Sequence, residues 1–281
     1  GIIKDYKPDV VIGTGGYVSG PVVYIASKNK IPALIHEQNA FPGITNKILS
    51  RYVNRIAVTF DEARDYFKYP DRVVKTGNPI RKEILEINKK IAYSKLNIIP
   101  DIPFILSFGG SGGQKKLNDC IFDIIRNYKD TDNYQLIHVT GTRLFEEFKA
   151  KLKVHNVQLH PNIRVLPYFY DMPEALNIAN LIVTSAGAIT LAEISAVGIP
   201  SILIPKAYTA ENHQEFNART FEKNGASILI LEKDLTSEIL QDKIKSLIDD
   251  KEKLLNMSIK SKKLGNINAA SLIVSEIDKL V

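Results

Sequence analysis

The sequence has 281 residues, of which 44% are hydrophobic and 24% charged, and 37 Lys and Arg against 31 Asp and Glu give a net charge of +6. That is material for one large or two ordinary soluble domains, and so mild a basic excess suits an anionic surface or phosphorylated substrates while being weak evidence for nucleic acid. The single cysteine, Cys120, excludes an internal disulfide and fits an apolar helix face in a reducing compartment; no Cys/His cluster has zinc spacing, no apolar run approaches the roughly 20 residues of a membrane span, and no signal peptide is visible.

The chain opens at Gly1, without Met, on a helix-like stretch from Ile2 to Tyr6 that reads as the middle of a domain. Asp9 to Ile12 is predicted as a strand, Ser19 to Lys28 as a helix, Ile31 to His36 as a strand, Gly43 to Arg51 as a helix, and Arg55 to Val58 and Arg72 to Lys75 as strands. Between the first strand and its helix lies Gly13-Thr14-Gly15-Gly16-Tyr17-Val18-Ser19-Gly20-Pro21. It has neither the P-loop Lys-Ser/Thr nor the dinucleotide spacing, so a plain βα turn and a ligand loop are equally good readings. His36-Glu37-Gln38-Asn39 closes the next strand. Polar side chains there are poor core material, so His36 or Glu37 is a candidate general base, against the alternative of an interior histidine and a turn-forming Asn39.

From Ile84 to Asp101 the sequence turns polar and rich in Lys and Asn, which places a domain boundary there. A second strand series follows at Pro103 to Phe108, Gln135 to Val139, Ile163 to Leu166, Leu181 to Val183, Ser201 to Ile204 and Ser227 to Leu229. Helices are predicted over Leu117 to Arg126, Ile189 to Val197 and Gln214 to Asn224, and three more over Leu235 to Ile248, Lys251 to Lys262 and Asn268 to Leu280. The lysines of the last but one read as a solvated face. Phe108-Gly109-Gly110-Ser111-Gly112-Gly113-Gln114 joins a strand to a helix with more glycine than a turn needs, which favours anion binding, with Ser111 as a donor to a diphosphate.

The run Ser185-Ala186-Gly187-Ala188-Ile189-Thr190-Leu191-Ala192-Glu193 is the most informative. A strand, a turn of small residues and a helix start offer unpaired N–H groups to phosphate, and Glu193 stands about one turn further on to accept from ribose hydroxyls. Amide side chains in Glu211-Asn212-His213-Gln214-Glu215-Phe216-Asn217 can read sugar hydroxyls, although an ordinary helix cap by Asn212 explains part of that run. His138, His155 and His160 are isolated and read as structural or solvated. Alternating short strands and helices define an α/β fold of two doubly wound parallel-sheet domains, with ligands at the carboxyl ends of strands in the inter-domain cleft.

Taken together, the segments at Gly13 to Pro21, His36 to Asn39, Gly77-Asn78-Pro79-Ile80-Arg81, Gly109 to Ser111, Ser185 to Glu193, His213-Gln214 and Phe216-Asn217-Ala218 resemble, in family order, the bacterial MurG N-acetylglucosaminyltransferases. The resemblance implies the GT-B fold of two Rossmann-like domains, an inverting mechanism, UDP-N-acetylglucosamine as donor and undecaprenyl-diphosphate-linked muramoyl pentapeptide as acceptor. It also implies peripheral residence at the cytoplasmic face of the bacterial plasma membrane against an anionic surface, and no metal, cofactor or nucleic acid. By position, Asn39, Arg81, Ser111, Phe169, Ala188, Ile189, Thr190, Leu191, Ala192, Glu193 and Gln214 match donor-binding residues, Phe169 through its backbone facing the uracil. Gly15, Gly16, Tyr17 and Gln38 fall on the acceptor side, His36 and Glu37 compete as base, and Arg81 is expected to neutralise charge on departing UDP. Family members begin with another glycine-rich loop carrying a histidine, and this sequence has no such segment. Gly112 stands where many members carry a glutamine.

The expected domains are therefore 1–83, an acceptor and membrane-side domain incomplete at its start; 84–262, the UDP-sugar domain; and 263–281, a helix packing back on the first domain. The rival readings are another GT-B glycosyltransferase or a UDP-sugar 2-epimerase, and a nucleotide-binding fragment without turnover.

Overall fold

The computed structural model describes residues 2–129 and 133–281. Contacts divide the chain into two units: residues 1–80, 209–217 and 266–281 form the first, and 81–208 with 218–265 the second.

In the first unit, β1 (Val11–Gly13), β2 (Ala33–Glu37), β3 (Arg55–Val58) and β4 (Val73–Lys75) form a parallel sheet in sequential order. Helices α1 (Ile2–Tyr6), α2 (Gly16–Lys28) and α3 (Ile44–Leu49) alternate with them. All five residues of β2 are buried, as expected of a parallel strand covered on both faces. Ala33, Ile35, Ile56 and Val58 join Val23 and Leu49 in one core. Helix α2 starts three residues before the predicted position, because Gly15 at φ 87° turns the chain directly into it.

The second unit holds six parallel strands: β5 (Phe104–Phe108), β6 (Gln135–Val139), β7 (Ile163–Leu166), β8 (Leu181–Thr184), β9 (Ser201–Leu203) and β10 (Ser227–Leu229). Their spatial order is β10-β9-β8-β5-β6-β7. Counted within the unit this is the 3-2-1-4-5-6 order of a nucleotide-binding sheet, and the direction of winding reverses between β5 and β8. Along β5, Phe104, Leu106 and Phe108 enter one apolar core and Ile105 the other, the period-2 alternation of a strand buried on both sides. The later helices of the chain are α4 (Lys89–Leu96), α5 (Lys115–Arg126), α6 (Phe145–Val154), α7 (Met172–Ile178), α8 (Ala188–Val197), α9 (His213–Lys223), α10 (Ser237–Ile248), α11 (Lys251–Leu264) and α12 (Ala269–Asp278). Helices α5 and α10 supply the core that holds Ile105, in which Cys120 is buried with its thiol pushed up to about 11.

Two stretches differ from the sequence reading. Ile84 to Asp101 is packed structure: α4 (Lys89–Leu96) is capped by Asn88, whose side chain accepts from Lys90 N and Ile91 N, and Ile84, Ala92, Leu96 and Ile98 are buried. Ala92 and Leu96, four apart on one face of α4, are buried together with Ile84 before it and Ile98 after it, which outweighs the surrounding lysines, and the contact boundary falls between Ile80 and Arg81. Residues 209–217 cluster with the first unit, because His213 Nδ1–H donates to Phe41 O at 2.9 Å and Asn217 Oδ1 accepts from Ala40 N at 2.8 Å. In the same unit Arg55 Nε donates to Glu276 Oε2 at 3.2 Å, tying in α12 (Ala269–Asp278).

His138 on β6 has no exposed surface, and its Nδ1 lies 3.1 Å from Ser107 Oγ. Burial pushes its pKa down to about 3, against the opposing hydrogen bond at Ser107. Such a ring is neutral in the fold but takes up a proton on unfolding below its ordinary value of 6.5. Its contribution to stability is therefore intact above that value and is lost progressively as pH falls toward about 3. The urea midpoint is expected to drop between pH 7 and pH 5, and His138→Leu to reduce that drop.

Candidate functional site

In the second unit the carboxyl ends of β5 and β8 meet at the switch point, where open α/β sheets place their ligands. The loop after β5 carries exposed Ser111 and Gly112. Its backbone lies on that of the loop after β6: a Cβ added to Gly113, at φ 72°, would stand 2.2 Å from Thr140 O, so no other residue fits there.

After β8, α8 (Ala188–Val197) begins with Gly187 as N-cap and no side-chain cap. Leu191 N is bonded to Gly187 O at 3.0 Å, so the first intrahelical bond leaves the N–H groups of the preceding turn for a ligand. Ile189 is 60% exposed. Leu191 is fully buried, so this side chain belongs to the core, and only backbone there can face a nucleotide. Phe169 is partly buried, packed against the core on one face of the sheet.

Glu193 is buried to 8% exposure. Arg81, whose side chain is 53% exposed, donates from Nε at 3.1 Å and Nη2 at 3.0 Å, both to Glu193 Oε1. Burial pushes the Glu193 carboxyl above its usual value, and the Arg81 charge and hydrogen bonds oppose that. In this structure the guanidinium holds the carboxylate, and with it the carboxylate's orientation and charge.

In the first unit Thr14, Gly15, Gly16, Tyr17, Gln38, Asn39 and Asn46 line a cavity of ≈ 180 Å³, with Glu211 and His213 at its border. Tyr17 is 88% exposed. His36 is buried, with Nε2 2.9 Å from Gly77 O and Nδ1 3.1 Å from Gln38 Nε2. The ring therefore donates from Nε2 and accepts at Nδ1. Burial holds its pKa below the usual histidine value, although the Gly77 carbonyl and the Glu37 charge act the other way.

Glu37 is 2% exposed. Its Oε1 accepts from Asn39 N at 3.0 Å and Asn39 Nδ2 at 3.1 Å, and its Oε2 from Gly43 N at 3.0 Å and Asn46 Nδ2 at 2.8 Å. Four donors fill the acceptor capacity of one carboxylate. His36 is thus held between Gly77 O and the Gln38 amide, and both oxygens of Glu37 are engaged in holding the loop from Glu37 to Asn46.

Asn39 Oδ1 accepts from Asn217 Nδ2 at 3.1 Å, and Phe41 stacks on Phe216 with centroids 4.7 Å apart. Gln214 is half-buried on this same segment. The predicted residues thus fall into two groups. Arg81, Ser111, Phe169 and Ala188 to Glu193 lie in the second unit; Gly15, Gly16, Tyr17, His36, Glu37, Gln38, Asn39 and Gln214 lie in the first. The partners of Asn46 and Asn217 were not legible in the sequence, because an asparagine does not name its partner. Among the described residues, no group of three or more His, Cys, Asp or Glu side chains could hold a metal ion.

Comparison with known proteins shows the family. The chain matches the glycosyltransferase family 28 C-terminal domain over residues 104–274 and the family's N-terminal domain over residues 1–58. It is 48% identical over 280 residues to the Acetivibrio thermocellus UDP-N-acetylglucosamine–N-acetylmuramyl-(pentapeptide) pyrophosphoryl-undecaprenol N-acetylglucosamine transferase, spanning 100% of this chain and 75% of that protein. It is 49% identical to the Clostridioides difficile protein of the same name, over 99% of this chain and 68% of the relative. The crystal structure of Acinetobacter baumannii MurG superposes with a TM-score of 0.80 at 30% identity, covering 99% of this chain and 76% of that one. The protein is a glycosyltransferase of the GT-B fold class, with two parallel sheets in Rossmann-like domains. The chain belongs to glycosyltransferase family 28 and, within it, to the MurG family.

Proposed function

We propose that this protein transfers N-acetylglucosamine from UDP-N-acetylglucosamine to the muramoyl 4-hydroxyl of undecaprenyl-diphosphate-linked muramoyl pentapeptide, with inversion at the anomeric carbon. The observation that carries the reading is the pairing of an uncapped α8 start with the buried, Arg81-held Glu193 at the switch point, in a chain 48% identical to a transferase of that name. Glu193 accepts from the ribose hydroxyls. The N–H groups at Ala188, Ile189 and Thr190 and the Ser111 loop hold the diphosphate, where a helix terminus contributes about 0.3–1 kcal/mol per anionic contact. Phe169 faces the uracil through its backbone. Asn39 and Gln214 orient the N-acetylglucosamine, and the cavity at Gly15, Gly16, Tyr17 and Gln38 receives the acceptor. Such placement supplies much of the rate by proximity, and the N–H groups at α8 stabilise charge on the leaving diphosphate. Incubation with UDP-N-acetylglucosamine and the lipid-linked acceptor is expected to yield the β-linked disaccharide lipid; release of 2-epimerised sugar in its place would overturn the assignment.

The enzyme works at the cytoplasmic face of the plasma membrane as a peripheral protein. No helix among the described residues is long and apolar enough to cross a membrane. What supports surface binding is α2, which buries only Val23 and Ala26 and exposes Val18, Val22 and Ile25 beside Lys28; Lys30 follows it, also exposed. A lysine near an anionic surface contributes about 1 kcal/mol. The double variant Lys28→Glu, Lys30→Glu is therefore expected to bind anionic vesicles at least about tenfold more weakly at low salt, read by vesicle co-sedimentation.

A further inference from the structure

We infer that Lys206, on the loop at the carboxyl end of β9, is a further donor-binding residue whose ammonium pairs with the diphosphate of the nucleotide sugar. The inference rests on the nucleotide reading above and extends it to a residue that no sequence motif marked.

β9 lies next to β8 in the sheet, so its trailing loop opens onto the same end as the Ser111 loop and the α8 start. A Cβ added to Gly110, at φ 76°, would lie 3.2 Å from Ser185 Oγ and 4.0 Å from Lys206 Nζ. The ammonium therefore stands over bare glycine backbone between the two loops assigned to phosphate. Three hydrogen bonds fix the backbone that carries it. Gln114 Nε2 donates to Ile204 O at 3.2 Å and to Glu232 Oε1 at 3.0 Å, while Glu232 Oε2 accepts from Ala207 N at 2.9 Å. The residue before Pro205 and the residue after Lys206 are thus both tied to one Gln114–Glu232 bridge. Lys206 is half-buried, and burial draws its pKa below the usual lysine value with Glu232 opposing. A bound diphosphate would offset the desolvation of this ammonium, and a charge-assisted contact in such a site is stronger than a neutral one.

Titration calorimetry of the protein with UDP and with uridine tests the assignment. Lys206→Met is expected to weaken UDP binding about tenfold or more and to leave uridine binding unchanged, with Lys206→Arg restoring most of the loss. Equal UDP affinity in wild type and Lys206→Met would overturn the role of Lys206 and leave the nucleotide reading standing. No UDP binding by the wild type would overturn both. Lysine acetylation of the wild-type protein gives the same answer without a variant: Lys206 is expected to be protected by UDP and not by uridine, and equal labelling in the two would contradict the inference.

Discussion

Glu193→Ala is expected to weaken UDP and UDP-sugar binding by about 1–3 kcal/mol, or about 5- to 150-fold, the scale of a lost charged hydrogen bond. The fold should barely notice. Arg81 is 53% exposed, so water can take over its N–H groups, and partly exposed pairs are worth about 0–1 kcal/mol. Binding and stability are thus predicted to separate, which a merely structural ion pair would not do. Arg81→Ala is expected to lower affinity less, because the carboxylate remains but loses its fixed orientation. The double variant should resemble Glu193→Ala alone, since Arg81 acts through the carboxylate. Calorimetry with UDP alongside thermal melting checks all three; a melting temperature that falls in step with affinity would contradict the assignment.

The second large effect is expected at Glu37. Glu37→Ala leaves Asn39 N, Gly43 N and the side-chain amides of half-buried Asn39 and buried Asn46 without their acceptor. Unsatisfied buried donors cost about 1–3 kcal/mol each, and after partial relaxation a total loss of about 3–5 kcal/mol is expected in urea unfolding. Glu37→Gln keeps the shape but turns an NH2 group toward two donors, so it is expected to lose about 1–3 kcal/mol. The catalytic pH profile separates positioning from base catalysis. If Glu37 only holds its loop, the Gln variant turns over more slowly with the same acid limb. Loss of that limb would restore Glu37 as the base.

The strands were legible because residues buried on both faces of a parallel sheet write near-continuous apolar runs: β5 and β8 stand within one residue of the predicted Pro103 to Phe108 and Leu181 to Val183. The tight turns at the switch point were legible too, since Gly113 admits no side chain against Thr140 O and Gly187 opens α8 without a cap. Long-range pairing was not. Arg81 and Glu193 are 112 positions apart and Asn39 and Asn217 178 apart, and nothing in either local sequence names the partner. His36 and Glu37 illustrate the converse. Polar residues closing an apolar strand suggest chemistry, yet Gly77 and Gln38 engage both nitrogens of His36, and Asn39, Gly43 and Asn46 engage both oxygens of Glu37. Lys206 follows a proline in an unremarkable turn, and only the spatial neighbourhood of Gly110 and Ser185 gives it meaning.

The most direct measurement is a crystal structure of the protein with UDP-N-acetylglucosamine bound. It is predicted to show the ribose hydroxyls on the Glu193 carboxylate and the diphosphate against the Ala188 helix start and the Ser111 loop. A nucleotide seated elsewhere, with Glu193 still engaged only by Arg81, would contradict the account.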